Sequence, residues 1–234
     1  LLGALAQGMY WFLILRSDLG AKQGDIEAVK GLNIGAAPLV DLGLKHLLTE
    51  YGIDLEKDKV NIAPVPGAFT GKNVNFGVTA AKALQDGKID GFWANGMGAE
   101  VAVKSGAGTL VIDARRGDGP ASAFNYTMPA LITSERLIDE KPDACAAAIR
   151  ALVKTQKALK EDVSLATKVG HKRFPTEEAE LIADIIQRDL PFYNAAITPD
   201  FITGMSKFSQ AMGLIDAPVS FEEAVATQFT ELWT

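Results

Sequence analysis

The sequence predicts an α/β protein, and three observations carry that prediction. Short apolar runs alternate with helix-patterned stretches from residue 32 to 115. The runs close on small, aromatic or polar residues. After Pro120 the alternation gives way to a helical C-terminal region. Strand, helix, strand at this spacing builds a parallel sheet with helices on its faces, because parallel neighbours need a long crossover.

Taken in order, Leu1 to Ala6 reads as a strand or the tail of one. YWFLILR (10–16) reads as a short buried strand. Asp25 to Lys30 is one helical turn ended by Gly31, and LNIGAAP (32–38) is a strand. Residues 40–51 put Val40, Leu44, Leu47, Leu48 and Tyr51 on one helical face, which Gly52 closes. VNIAPVP (60–66) is the second strand of the rhythm, and Val74 to Gln85 is a helix ending near Gly87. IDGFWAN (89–95), a helix from Gly96 to Lys104, and TLVIDAR (109–115) follow. FNYTMPALITS (124–134) reads as a long extended run that joins the strand at 10–16. Pro142 to about Leu159 is a helix burying Cys145, Ile149, Leu152 and Val153. Thr176 and Ser220 are placed as N-caps, Ser220 with Glu223 as a capping box, and Thr198-Pro199 as a cap followed by Pro at the first helical position. Phe201, Met205, Phe208 and Met212 stripe that last helix, and Gly213 ends it.

Composition narrows the function. The 234 residues suit one large domain or two small lobes, and 48% hydrophobic with 22% charged residues gives an ordinary globular core. A net charge of −6 argues against a nucleic-acid partner, which wants a basic face. The single cysteine excludes an internal disulfide and a multi-cysteine metal site. No apolar run reaches the ~20 residues of a membrane helix. LLGALAQG lacks a basic region and a cleavage site, so we read it as mature protein.

The catalytic and nucleotide motifs are poor. Gly96-x-Gly98 follows a strand and opens a helix, but Val101 stands where a dinucleotide loop needs its third glycine. GAFTGK (67–72) has three residues between its glycines where a P-loop has four, and Asn73 follows in place of Ser or Thr. Arg116-Gly117-Asp118 is read as a tight turn, His46 as a surface residue and Cys145 as a packed core thiol. The serines lack a nucleophile-elbow setting. No catalytic residue, metal ligand or cofactor is expected.

What remains is a row of strand ends: Ala36-Ala37-Pro38, Pro66-Gly67-Ala68-Phe69, Trp93-Ala94-Asn95-Gly96 and Arg115-Arg116-Gly117-Asp118. Ligands of open parallel sheets bind beyond such ends. Small residues admit a ligand to backbone N–H groups, and helix starts near Leu39 and Gly96 offer free donors with partial positive charge. Trp93 and Phe69 can stack on a planar or apolar group. Asn95 can bond its polar end, and Arg116 is the expected charge partner, unless it pairs with Asp118 and only shapes the turn.

The chain resembles the periplasmic substrate-binding proteins of ABC importers, in the branch for nitrate, sulfonates, taurine and thiamine-precursor pyrimidines. IEAVKGLNIGAAP (26–38), ALQDGKIDGFWAN (83–95) and YTMPALITSERLIDEKPDACAAAIRAL (126–152) carry the resemblance by their order and spacing. It implies a type II binding-protein fold: two α/β lobes with parallel-rich sheets, joined by crossing strands, with a ligand held in the cleft and delivered to a membrane permease. It implies a periplasmic, or exported and membrane-associated, protein that is not an enzyme. Such proteins have about one further βαβαβ unit before YWFLILR. The expected division is therefore a complete lobe 2 (31–120) and a partial lobe 1 with hinge and C-terminal helices (1–30 and 121–234). Apolar surface left by the gap would favour dimerisation. The resemblance implies ligand contacts from Ala37, Pro38, Leu39, Phe69, Trp93 and Asn95. The hinge adds Arg116, Phe124, Asn125 and Tyr126, and lobe 1 adds Met9, Tyr10 and Trp11. Two rival readings share the plan: the effector domain of a LysR-type regulator, and a homologue of the thiamine-pyrimidine synthesis enzymes, whose cysteine-rich motif this chain lacks.

Overall fold

The computed structural model describes residues 1–68 and 75–234. The chain divides into two compact units, Tyr10–Phe124 and a discontinuous one made of Leu1–Met9 with Asn125–Thr234.

The Tyr10–Phe124 unit is built on a five-stranded sheet. Its strands are β2 (Phe12–Arg16), β3 (Asn33–Ala36), β4 (Asn61–Ala63), β5 (Gly91–Ala94) and β6 (Gly108–Asp113). β1 (Gly3–Ala4) belongs to the other unit. The order across the sheet is β4-β3-β5-β2-β6. β3 pairs in parallel with β4 and β5, and β2 lies antiparallel to both β5 and β6. The four strands expected between 32 and 115 thus form and run parallel, but a fifth is wedged among them. The expected joining of 124–134 to 10–16, and with it the assignment of 10–30 to the first lobe, is overturned. The physical reason lies in β2 itself. Phe12, Leu13, Ile14 and Leu15 are apolar on both faces and at most 1% exposed, so only an interior position in the sheet covers them. One residue of β6 bulges where the register shifts between Leu13 and Ile14, and the Val111 carbonyl accepts the Gly24 N–H at 2.8 Å.

Helices α1 (Asp41–Tyr51), α2 (Phe76–Gln85) and α3 (Gly96–Lys104) connect these strands. α2 is capped by Asn75, whose Oδ1 accepts the N–H groups of Gly77 at 3.0 Å and Val78 at 3.4 Å. α2 and α3 cover one sheet face, burying Phe12, Ile14, Phe92 and Ala94 with the alanines of both helices. They touch through glycine: a Cβ on Gly98 would lie 2.6 Å from the Cα of Gly77. That contact, and not a nucleotide, accounts for the second glycine of Gly96-x-Gly98.

In the other unit, β1 pairs antiparallel with β7 (Ala130–Leu131). The expected extended run 124–134 is thereby reduced to two ladder residues. A 3₁₀ turn over Ala121–Asn125 precedes them and α4 (Glu135–Glu140), capped by Ser134, follows. α5 (Pro142–Glu161) buries Cys145, Ile149, Val153 and Gln156 against β1 and the C-terminal turn. Gln156 extends the apolar stripe with an amide that donates to the carbonyls of Ala4 at 3.0 Å and Leu5 at 2.9 Å. α6 (Ser164–Gly170) and α7 (Thr176–Asp189) follow. Thr176 is the first helical residue of α7 and not its cap: Pro175 occupies that position in an extended conformation. α8 (Pro199–Ala211) is capped by Thr198, and α9 (Phe221–Ala224) carries the Ser220–Glu223 capping box, both as expected.

Candidate functional site

The carboxyl edge of the five-stranded sheet gathers most of the sequence-predicted residues. Antiparallel β2 decides this. Phe12 pairs with Ala94 on one side and Asp113 on the other, so Tyr10 and Trp11, just before it, run beside Asn95-Gly96 and Ala114-Arg115. Ala36 pairs with Trp93, which brings Ala37, Pro38 and Leu39 alongside the start of α3. Four chain segments therefore meet in one row, one of them, Tyr10-Trp11, expected to lie in the other lobe.

Each residue has a definite setting there. Tyr10 and Trp11 are half-buried and stacked, with ring centroids 4.9 Å apart and 29° between planes. Ala37 is half-buried and Pro38 exposed. Leu39 is 74% exposed with φ +70°; an apolar, non-glycine residue held left-handed in solvent stores strain of the kind found at binding edges. Neither α1 nor α3 has a side-chain cap; in α1 the Asp41 and Gly43 N–H groups donate to the carbonyls of Ala37 at 3.0 Å and Val40 at 3.2 Å, so it is chiefly the first-turn donors of α3 that remain for other partners. Asn95 is the N-cap residue of α3 by position, yet its Oδ1 is buried with no hydrogen bond. Trp93 is 0% exposed, and its Nε1 likewise has no partner. It faces away from α2 and α3, opposite to Phe92 and Ala94, as strand alternation requires. Phe69 lies outside the described residues.

The positive charge sits one residue earlier than expected. Arg115 is 4% exposed, and its Cζ lies 5.7 Å from the Tyr10 ring centroid, a cation–π distance. Burial pushes the Tyr10 phenol above its ordinary value, and Arg115 partly offsets that. Arg116 pairs not with Asp118 but with buried Asp113, Nη1 to Oδ2 at 2.7 Å. Asp118 instead accepts the Asp113 N–H at 2.8 Å and the Gln23 amide at 2.8 Å. Gly117, left-handed at φ 98°, makes the turn. Sequence reasoning missed Arg115 because the strand ends there in a 3₁₀ turn, where alternation no longer says which arginine points inward.

Three expected residues fall in the other unit, and one of them, Met9, is 0% exposed. Tyr126 is buried, stacked on Phe208 at 4.8 Å and 12°, and Asn125 lies against α8, where a Cβ on Gly204 would be 2.4 Å from its own Cβ. Cys145 is the buried core thiol anticipated. His46, expected at the surface, has a side chain only 16% exposed, 3.7 Å from Glu50. Among the described residues no group of three His, Cys, Asp or Glu is arranged to hold a metal.

No family model matches the sequence, and no curated protein matches it. Solved structures do match in fold. The alkanesulfonate-binding protein SsuA of Xanthomonas axonopodis pv. citri, bound to MOPS, superposes with a TM-score of 0.67 at 13% identity, over 95% of this chain and 72% of that one. The periplasmic aliphatic sulphonate binding protein SsuA of Escherichia coli gives 0.60 at 11%, over 94% and 67%. The desulfurization enzyme DSZB gives 0.57 at 15%, over 97% and 76%. The chain thus has the α/β fold of the two-lobed periplasmic binding proteins, and its neighbours include sulfonate-binding proteins, one of them, from Methylobacillus flagellatus KT, described as the periplasmic sulfonate-binding protein of a sulfonate ABC transporter. No helix of the described residues is long and apolar enough to cross a membrane.

Proposed function

We propose that this protein is the solute-binding component of an ABC importer, acting outside the cytoplasmic membrane, and that it takes up a small anionic organic ligand of the sulfonate type. The observation that carries the reading is the β2 register. It brings a stacked Tyr10–Trp11 pair, a buried arginine and two helix N-termini without side-chain caps to one sheet edge. An aromatic ledge suits the body of an organic ligand. Arg115 and the first-turn N–H groups of α3 suit an oxyanion head, whose charge would be favoured at a helix N-terminus. Ala37, Pro38, Leu39 and Asn95 would line the edge, with Trp93 behind them. Arg116 would act through the Asp113 pair, and Asn125 and Tyr126 would support their own unit. Hand-over to permease subunits follows from the same reading. So does the lack of turnover, because binding alone uses these groups without a nucleophile or general base.

The test is calorimetry and thermal shift against alkanesulfonates, taurine, nitrate, aromatic carboxylates and aminopyrimidines. A sulfonate held at 100 times its Kd should stabilise the protein by about 2.7 kcal/mol. Because one fold neighbour is a desulfurization enzyme, the same mixtures are assayed for released sulfite or sulfinate. Release of either overturns the binding-only reading, and absence of binding across the panel overturns the function.

A further inference from the structure

A cavity lies wholly within the Leu1–Met9 and Asn125–Thr234 unit, among α5, α6 and α7. Its volume is about 450 Å³, inside the roughly 300–1,000 Å³ range of small-molecule sites. The space exists because small residues meet there. Gly170 ends α6 hard against α7, where a Cβ would stand 2.9 Å from Ile182 Cδ1. Ala158 of α5 and Ala166 of α6 do not fill the gap that remains. Leu159, Leu165, Ile182 and Ile186 also line it, and Val169 and Phe174, 58% and 48% exposed, add apolar surface reaching solvent. Only Lys154 and Thr155 bring polar side chains to the lining.

The charge around it is divided: residues 150–174 carry seven Lys and Arg against two acids, Glu161 and Asp162, whereas α7 at 176–189 carries five acids and one Arg. Lys154 is exposed and makes no ion pair among the described residues. A concave apolar floor shields a single narrow chain better than it meets the flat face of a bilayer, and each methylene removed from water favours binding. Lys154, the only charged side chain in the lining, favours an anionic head over a neutral one at the α5 side of the mouth.

We propose that this cavity binds a single-chain anionic amphiphile, with its alkyl tail between α5, α6 and α7 and its head at Lys154. This is separate from the strand-edge site, and either can fail without the other. The test uses decanoate as probe, with octyl glucoside as a neutral-headed tail and acetate as a head without a tail, by calorimetry on the full chain. Decanoate should bind one to one, octyl glucoside more weakly, and acetate not at all. Lys154→Gln should weaken decanoate severalfold and leave octyl glucoside unchanged. Ala166→Phe, which fills the floor, should weaken both by about tenfold or more. If that variant melts early, Ala158→Leu replaces it. Failure of decanoate to bind, or unchanged affinity in a natively melting floor variant, overturns the proposal. Sedimentation with phosphatidylglycerol vesicles free of soluble amphiphile would overturn it in favour of a membrane surface. Self-association abolished by the floor variant would overturn it in favour of a second copy of the chain.

Discussion

Trp93 ends β5 with its ring fully buried and its indole N–H without a partner. A buried donor left unsatisfied costs about 1–3 kcal/mol. Trp93→Phe removes that donor while keeping most of the ring, so the ligand-free protein should be little changed or slightly more stable in denaturant melts. Trp93→Ala should lose about 3–5 kcal/mol, as large aromatic truncations in cores do. A ligand-stacking role read from the sequence would instead have predicted a weakened site in an intact fold. Tyr10 supplies a pH test. Its phenol is raised by burial and lowered less by Arg115. Its folded value therefore lies above the unfolded one, near 10, and the folded state holds the proton longer. Its contribution to stability is complete below about pH 10 and is lost as pH rises through the folded value. Ultraviolet difference titration against Tyr10→Phe should find this phenol ionising late, and Arg115→Met should delay it further. Earlier ionisation in that variant would refute the cation–π assignment. Little of this was legible in the sequence. Residue type suggested that Tyr10, Trp93 and an arginine near 115 mattered, but not which ring is buried or which guanidinium turns inward.

At the scale of elements, the helices and parallel strands were largely legible, because apolar spacing and glycine stops are local signals. Two features at the strand edge rest on contacts that can be tested. Asn75→Ala removes the side-chain cap of α2 and should cost about 1 kcal/mol. Gly98→Ala puts a methyl 2.6 Å from the Gly77 backbone. It should cost about 1–3 kcal/mol by overpacking, despite the better helix propensity of alanine. A neutral or stabilising Gly98→Ala in chemical melts would mean that α2 and α3 do not meet there. What the sequence hid was pairing. FNYTMPALITS looks extended, but its backbone turns through a 3₁₀ segment, and only Ala130 and Leu131 find a ladder partner.

At the scale of the whole molecule, β2 sets the boundary. It lies near the start of the chain, yet its ladder partners are residues 91–94 and 108–113. The continuous stretch 10–124 therefore holds a complete five-stranded sheet with its own covering helices, whereas the other unit is assembled from two chain segments. A fragment of residues 10–124 should fold cooperatively, with a sigmoidal denaturant melt and dispersed amide resonances. A fragment of 31–120, the division the sequence suggested, lacks β2, the interior strand between β5 and β6, and should not. Equal behaviour of the two fragments would mean that β2 is dispensable to the unit.

The sequence by itself determined the α/β class, the order of elements from 32 to 115, the caps at Thr198 and Ser220, and the row of strand ends where a ligand would be sought. These follow from periodicity and local hydrogen bonding, which act within a few residues. Only the tertiary structure decided that the run at 10–16 is the penultimate strand of the main sheet. That placement sets Tyr10 and Trp11 beside Arg115, and the fold also buries Trp93 and ties Arg116 to Asp113. An unbroken apolar run says that a strand is covered on both faces. It does not say which neighbours cover it, because that depends on contacts between residues some eighty positions and more apart.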